Sequence, residues 1–243
     1  MAAYYVLLMT QRVNDAARAT MLAYASGADL DQLAANFNVA RKVIDPGDPD
    51  AIPPDAPTYE SDEELRRRVQ LSFEGVSVAG PVGAYIFHAL GADPDVLDAS
   101  VDSPAPGEVV VTVLSRQGDG TPSAELLAAV EAVLSAEDVR PLTDQVTVQA
   151  ATVFPFAVTA ALTLYEGPDA WVVRSAAENA LAGYVARNHK LGRDVTRSGL
   201  FAALHQEGVQ NVVLTEPAAD IVVSASEVAY CTASTVTVEG VDD

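Results

Sequence analysis

Apolar residues recur at three- and four-residue spacing through the first part of the chain. Val13, Ala16, Ala17, Thr20, Met21 and Tyr24 share one face, so residues 1 to about 38 read as helix. Gly27 is expected to stop the first helix, and Asp29 to cap a second one carrying Leu30, Leu33, Ala34 and Phe37. The many small alanines suit close approach to another helix, and so lightly decorated an end helix is expected to pack on a partner. Residues 44–60 break the pattern: Pro46, Pro49, Pro53, Pro54 and Pro57 stand among Asp45, Asp48, Asp50 and Asp55. Proline removes backbone donors and favours extended chain, which predicts an exposed linker or arm.

Periodicity returns at Ser61. Ser61 and Glu64 are spaced as a capping box, ahead of Leu65, Val69 and Phe73 on one helical face. Gly80-Pro81 is expected to open a further helix with proline at its first position, and Gly91 to close it. Strands follow at Val96 to Val101 and Glu108 to Leu114, then a turn at Gln117-Gly118-Asp119-Gly120. Thr121-Pro122 starts a helix striped by Leu126, Leu127, Val130, Val133 and Leu134, and Val146 and Val148 begin another strand. The rest repeats this grammar. Val158, Ala160, Leu162 and Leu164 alternate with polar neighbours in a strand. Helices follow at about Ala170 to Arg187, capped by Asp169, and at Arg197 to Gln206. Strands at Val209 to Leu214, Ile221 to Ser226 and Thr235 to Val238 complete the chain. The expected fold class is α+β: N-terminal helices and then two small α+β modules with mixed or antiparallel sheets. The expected domains are a helical region for a partner bundle (1–43), the Pro/Asp-rich arm (44–60), a first module (61–151) and a C-terminal module (152–243).

Charge narrows the functional classes. Fourteen Lys and Arg against 34 Asp and Glu give the 243-residue chain a net charge of −20. Such a surface repels phosphate backbones, so neither nucleic acid nor an anionic membrane is an expected partner. The basic cluster Arg66-Arg67-Arg68 stands alone, and no Lys or Arg occurs after Arg197. A single cysteine, Cys231, rules out an intrachain disulfide and a four-cysteine metal site. Its place in a strand reads as a buried, inert thiol. The longest apolar stretch, Ala150 to Tyr165, is broken by Pro155 and is shorter than the roughly 20 residues a spanning helix needs. The apolar start, Met1 to Met9, has no basic region before it, so no signal peptide is expected.

Candidate chemistry fails on spacing. A calcium loop counted from Asp48 would have Pro53 where Gly is needed and Tyr59 where Glu is needed. Gly75 to Gly80 lacks the second Gly of a nucleophile elbow, and Pro81 and Val82 follow where a phosphate loop has Lys and a hydroxyl residue. His88, His189 and His205 belong to no recognisable metal set, and with so many acids a carboxylate pair carries no signal. No catalytic, cofactor-binding or metal residue is assigned, and no enzyme is expected.

Four segments, in this order and spacing, carry more information than composition. They are Gly27-Ala28-Asp29-Leu30-Asp31-Gln32-Leu33-Ala34, Glu60-Ser61-Asp62-Glu63-Glu64-Leu65-Arg66-Arg67-Arg68, Gly80-Pro81-Val82-Gly83-Ala84-Tyr85 and Arg140-Pro141-Leu142-Thr143-Asp144. In them the chain resembles the baseplate J-like family of contractile bacteriophage tails and related injection particles, from about Gln11 to Val238. Read locally, Arg66, Arg67, Arg68, Tyr85 and His88 are the candidate partner-interface residues, and Arg140 and Asp144 are expected to pair across a bend set by Pro141. The resemblance implies a structural wedge subunit that assembles with a second copy of itself, with an I-like tail protein and with other baseplate, hub or sheath-initiator proteins. Its place would be the tail baseplate of the virion, with assembly in the host cytoplasm. Members of the family that the chain resembles usually carry additional sequence before the helix that here begins at Met1-Ala2-Ala3-Tyr4-Tyr5. Competing readings are a tail-tip cell-wall hydrolase using two carboxylates and a receptor-binding tail module, which the 6% aromatic content does not favour.

Overall fold

A computed structural model describes residues 2–77, 79–137, 139–167 and 169–242. The fold is α+β, with a sheet in which parallel and antiparallel pairing are mixed. The chain divides into two compact units: residues 1–95, 101–109 and 129–146 form one, and 96–100, 110–128 and 147–243 form the other.

The first unit opens with α1 (Ala2–Ala19) and α2 (Gly27–Ala35). The first helix ends eight residues before the predicted stop. Gly27, with φ of +52°, begins α2 instead of ending α1, and Asp29 is not its cap. The amide of Gly27 is bonded by the carboxylate of Asp62, 35 residues away, a partner no local pattern shows. The proline- and aspartate-rich stretch is exposed along most of its length, and short strands bracket it. β1 (Val43–Asp45) pairs antiparallel with β2 (Thr58–Tyr59), so the predicted arm is the loop of a two-stranded ribbon.

Ser61 caps α3 (Asp62–Gly75) with the reciprocal capping box in place. Leu65 and Val69 are buried beside Leu30, Ala34 and Val39. Phe73, expected on the same face, is exposed and stacks edge-on against Phe37 at 5.1 Å, while Ser72 takes the buried position. In α4 (Val82–Ala92) Pro81 is the N-cap, one residue earlier than predicted. Gly91 lies inside α4; its end is held by Lys42, whose Nζ donates to the carbonyls of Leu90 and Asp93, a cation suited to a helix C-terminus.

Strands β3 (Val96–Asp102), β4 (Glu108–Ser115) and β5 (Gln145–Ala150) form a sheet in that order. Between the last two runs α5 (Ala124–Leu134), whose Leu126, Val130 and Leu134 are buried. Ser123 bonds the Leu126 amide at its start, so this helix begins later than Thr121-Pro122 suggests.

In the second unit β6 (Thr152–Leu164) is the central strand of the order β7-β6-β8. Phe156, Val158, Ala160, Leu162 and Leu164 all point into the core, as their alternation predicts. Each fully buried Leu or Val contributes on the order of 1.5–3 kcal/mol. Pro155 is tolerated because β7 (Val209–Glu216) pairs with β6 only from Thr159 onward. Asp169 caps α6 (Ala170–Asn188) through the amides of Trp171 and Val172, and Thr196 caps α7 (Arg197–Leu204). The expected strand at Ile221–Ser226 does not form beyond a single bridge to Val195. The amides of Val223 and Ser224 donate instead to the carboxylates of Asp194 and Glu227. β8 (Glu227–Val241) extends well beyond the predicted Thr235–Val238. It runs parallel to β6 with bulges at Thr232 and Glu239, where one extra residue enters the register. Cys231 is half-buried, less enclosed than expected, and burial raises its thiol above the ordinary value.

Candidate functional site

The four signature segments meet in pairs inside the first unit. Segments one and two meet at the bend between α1 and α2. Arg66 donates from Nε to the Leu22 carbonyl and from an Nη to the Ala25 carbonyl, both at 2.7 Å. One turn earlier on α3, Asp62 accepts the Gly27 amide at 3.1 Å. Arg41 ties the cluster together, reaching Asp31 at 2.7 Å, Asp62 at 2.6 Å and the Glu60 carbonyl at 2.8 Å. Burial works to raise the Asp62 carboxyl, but the bonds from Arg41 and Gly27 outweigh it and hold the group below the usual carboxylate range. Burial likewise opposes the Arg41 charge, and the bonds to Asp31 and Asp62 prevail and raise it. Arg68 pairs with Glu60 at 2.6 Å, where the carboxylate side chain is 1% exposed and also accepts the Lys42 amide.

Segments three and four meet on α4. Tyr85 is 2% exposed, and its hydroxyl donates to Oδ2 of Asp144 at 2.8 Å. Burial, then the bond and charge of Asp144, push its phenol upward. Gly80 sits where a Cβ would come within 2.8 Å of the Pro141 ring and 3.0 Å of the Asp144 carboxylate. Only glycine lets these two segments approach so closely. The expected pairing of Arg140 with the Asp144 carboxylate takes another form: Arg140 donates to the Asp144 and Ser135 backbone carbonyls, and the carboxylate serves Tyr85.

The candidate interface residues therefore serve largely inside the chain. Arg66, Arg67 and Arg68 are all half-buried and none is unengaged. Tyr85 does not reach the surface. His88 is half-buried, donating from Nε2 to the Gly75 carbonyl at 3.1 Å, with Phe87 edge-on to its ring. The surface the sequence marks less explicitly is α1 itself. Every side chain from Ala3 to Arg18 is exposed, among them Tyr4, Tyr5, Val6, Leu7, Leu8, Met9 and Val13. The signal that finds it is an apolar helix with only Arg12, Asp15 and Arg18 charged.

No set of His, Cys, Asp or Glu suited to holding a metal occurs among the described residues. His189 is occupied by the Ala229 carbonyl at 3.1 Å and by Tyr230. No helix among the described residues is long and apolar enough to cross a membrane.

Polar braces thus tie the helices of the first unit together, and α1 leaves its apolar side chains exposed beside them. Family models match three parts of the sequence: the baseplate J-like N-terminal domain at residues 1–48, the central domain at 77–150 and the C-terminal domain at 156–239. The chain is 48% identical to baseplate protein J of Escherichia phage P2 across 99% of its own length and 80% of that protein. It belongs to the baseplate J-like family, and its role is that of a structural baseplate protein, not an enzyme. In the cryo-EM structure of the anti-feeding prophage baseplate, 6-fold symmetrised, a chain matches with a TM-score of 0.49 and 16% identity. That match covers 75% of this chain and 44% of the other.

Proposed function

We propose that this chain is a wedge subunit in the baseplate of a contractile phage tail or tail-like injection particle. In this reading it assembles with a second copy of itself and an I-like tail protein around the hub, and it meets other baseplate or sheath-initiator proteins. Assembly takes place in the host cytoplasm before the subunit enters the virion. Residues 1–43 supply the partner bundle, 44–60 a stiff arm, and 61–151 and 152–243 the two modules. The observation that carries this reading is α1, eighteen residues long, whose side chains from Ala3 to Arg18 are all exposed. An exposed patch of that kind marks an interaction surface.

The test is co-expression with an I-like tail protein. A complex of fixed ratio is expected, and Met9→Glu on α1 should abolish it while leaving far-UV circular dichroism unchanged. Persistence of a lone monomer on co-expression would overturn the reading.

A further inference from the structure

We infer that Asp62 and Arg66, one turn apart on α3, form a clamp that aims α1. The helix contributes no buried side chain from Ala3 to Arg18, so packing along its length does not set its direction. Its direction is set where it joins the body, in residues 20–27. That elbow has two turns of its own: the Met21 amide bonds the Arg18 carbonyl at 3.0 Å, and the Ala25 amide bonds the Met21 carbonyl at 2.8 Å. Those bonds shape the elbow, and Ala25, buried with Leu22 beside it in the cluster of Leu65 and Val69, seats it on the core. Polar anchoring comes from α3. Arg66 spans the Leu22 and Ala25 carbonyls, three residues apart across the bend, and Asp62 takes the Gly27 amide just beyond it. Arg41 donates to Asp62 and, at 3.4 Å, to the Gly27 carbonyl, so the anchor is itself held.

A guanidinium suits the task because its planar fork reaches two acceptors at once, which an ammonium on a flexible stem does not. Asp62 and Arg66 lie at i and i+4, so one face of a capped helix presents both groups to the elbow. Both are positioning residues: they fix where a joining surface points without belonging to it. The bearing of the clamp on assembly rests on α1 being that surface. The clamp itself is tested without any partner.

The experiment uses the full chain with Cys231→Ser, carrying nitroxide labels at Gln11→Cys on α1 and Gln70→Cys on α3, both exposed positions. A control pair joins Gln70→Cys to Gly91→Cys on α4, where an added Cβ meets open space. Pulsed electron–electron resonance on the parent should give one narrow α1–α3 distance peak. Arg66→Ala and Asp62→Ala should each lose that peak, and Arg66→Lys should recover it only in part, while the control pair stays narrow throughout. The clamp is overturned if the parent distribution is already broad or if neither alanine variant changes it. It is equally overturned if the control pair broadens together with the α1 pair, since the residues would then hold the fold in general. Failure to capture the I-like protein would refute the wedge reading and leave this measurement unaffected, and a broad α1 distribution would leave the wedge reading standing.

Discussion

Tyr85 and Asp144 are 59 residues apart in sequence, and their contact gives the third and fourth signature segments a common purpose. The bond is neutral donor to charged acceptor in a half-buried setting, the stronger kind of side-chain bond. Tyr85→Phe keeps the ring and its packing but leaves Asp144 without that donor. It should lower stability by about 1–2 kcal/mol, seen as a fall in the urea midpoint with an unchanged slope. The sequence could propose Tyr85 as a presented residue only because its partner is distant. From neighbours alone, an aromatic in an apolar helix looks the same facing in or out. Arg66 reads from the sequence as a candidate partner-interface residue, because the two carbonyls it grips within the chain lie more than forty positions upstream.

Between elements, the features legible in sequence were those with short-range causes. The Ser61–Glu64 box, the Asp169 cap and the alternation of β6 each depend on residues three or two apart, and all three form as read. What the sequence could not show has long-range causes: the cap on α2 comes from α3, and the strand expected at Ile221–Ser226 gives way to carboxylates claiming its amides. The trans cap also makes the join between α2 and α3 acid-sensitive. Asp62 is depressed in the folded chain, so its contribution is complete above the unfolded carboxylate value of about 4 and is lost as pH falls through the lower folded one. The melting temperature of Asp62→Asn should therefore lie below that of the parent near neutral pH, with the gap closing on acidification, as differential scanning calorimetry from pH 7 to pH 3 would show.

For the molecule as a whole, a charge of −20 opposes the approach of like copies. With a Debye length of about 10 Å at 0.1 M salt, that repulsion is long-ranged only in dilute buffer. Raising ionic strength should strengthen association between copies, measured by sedimentation velocity across a salt series. Weakening would mean that opposite charges at the contact dominate instead. α1 departs from this balance: with two arginines and one aspartate it is a stretch of slight positive charge on an acidic body, where the approach of a like copy meets less repulsion.

β8, the longest described strand, lies on the outside of its sheet, and from Val228 to Val238 it carries no charge. A straight strand of that kind would be an open template on which molecules could zip into fibrils. The bulges at Thr232 and Glu239 interrupt its rim at two places, so no incoming chain finds a continuous ladder of free amides and carbonyls. Copies of the chain at high local concentration can thus meet without sticking along their sheets.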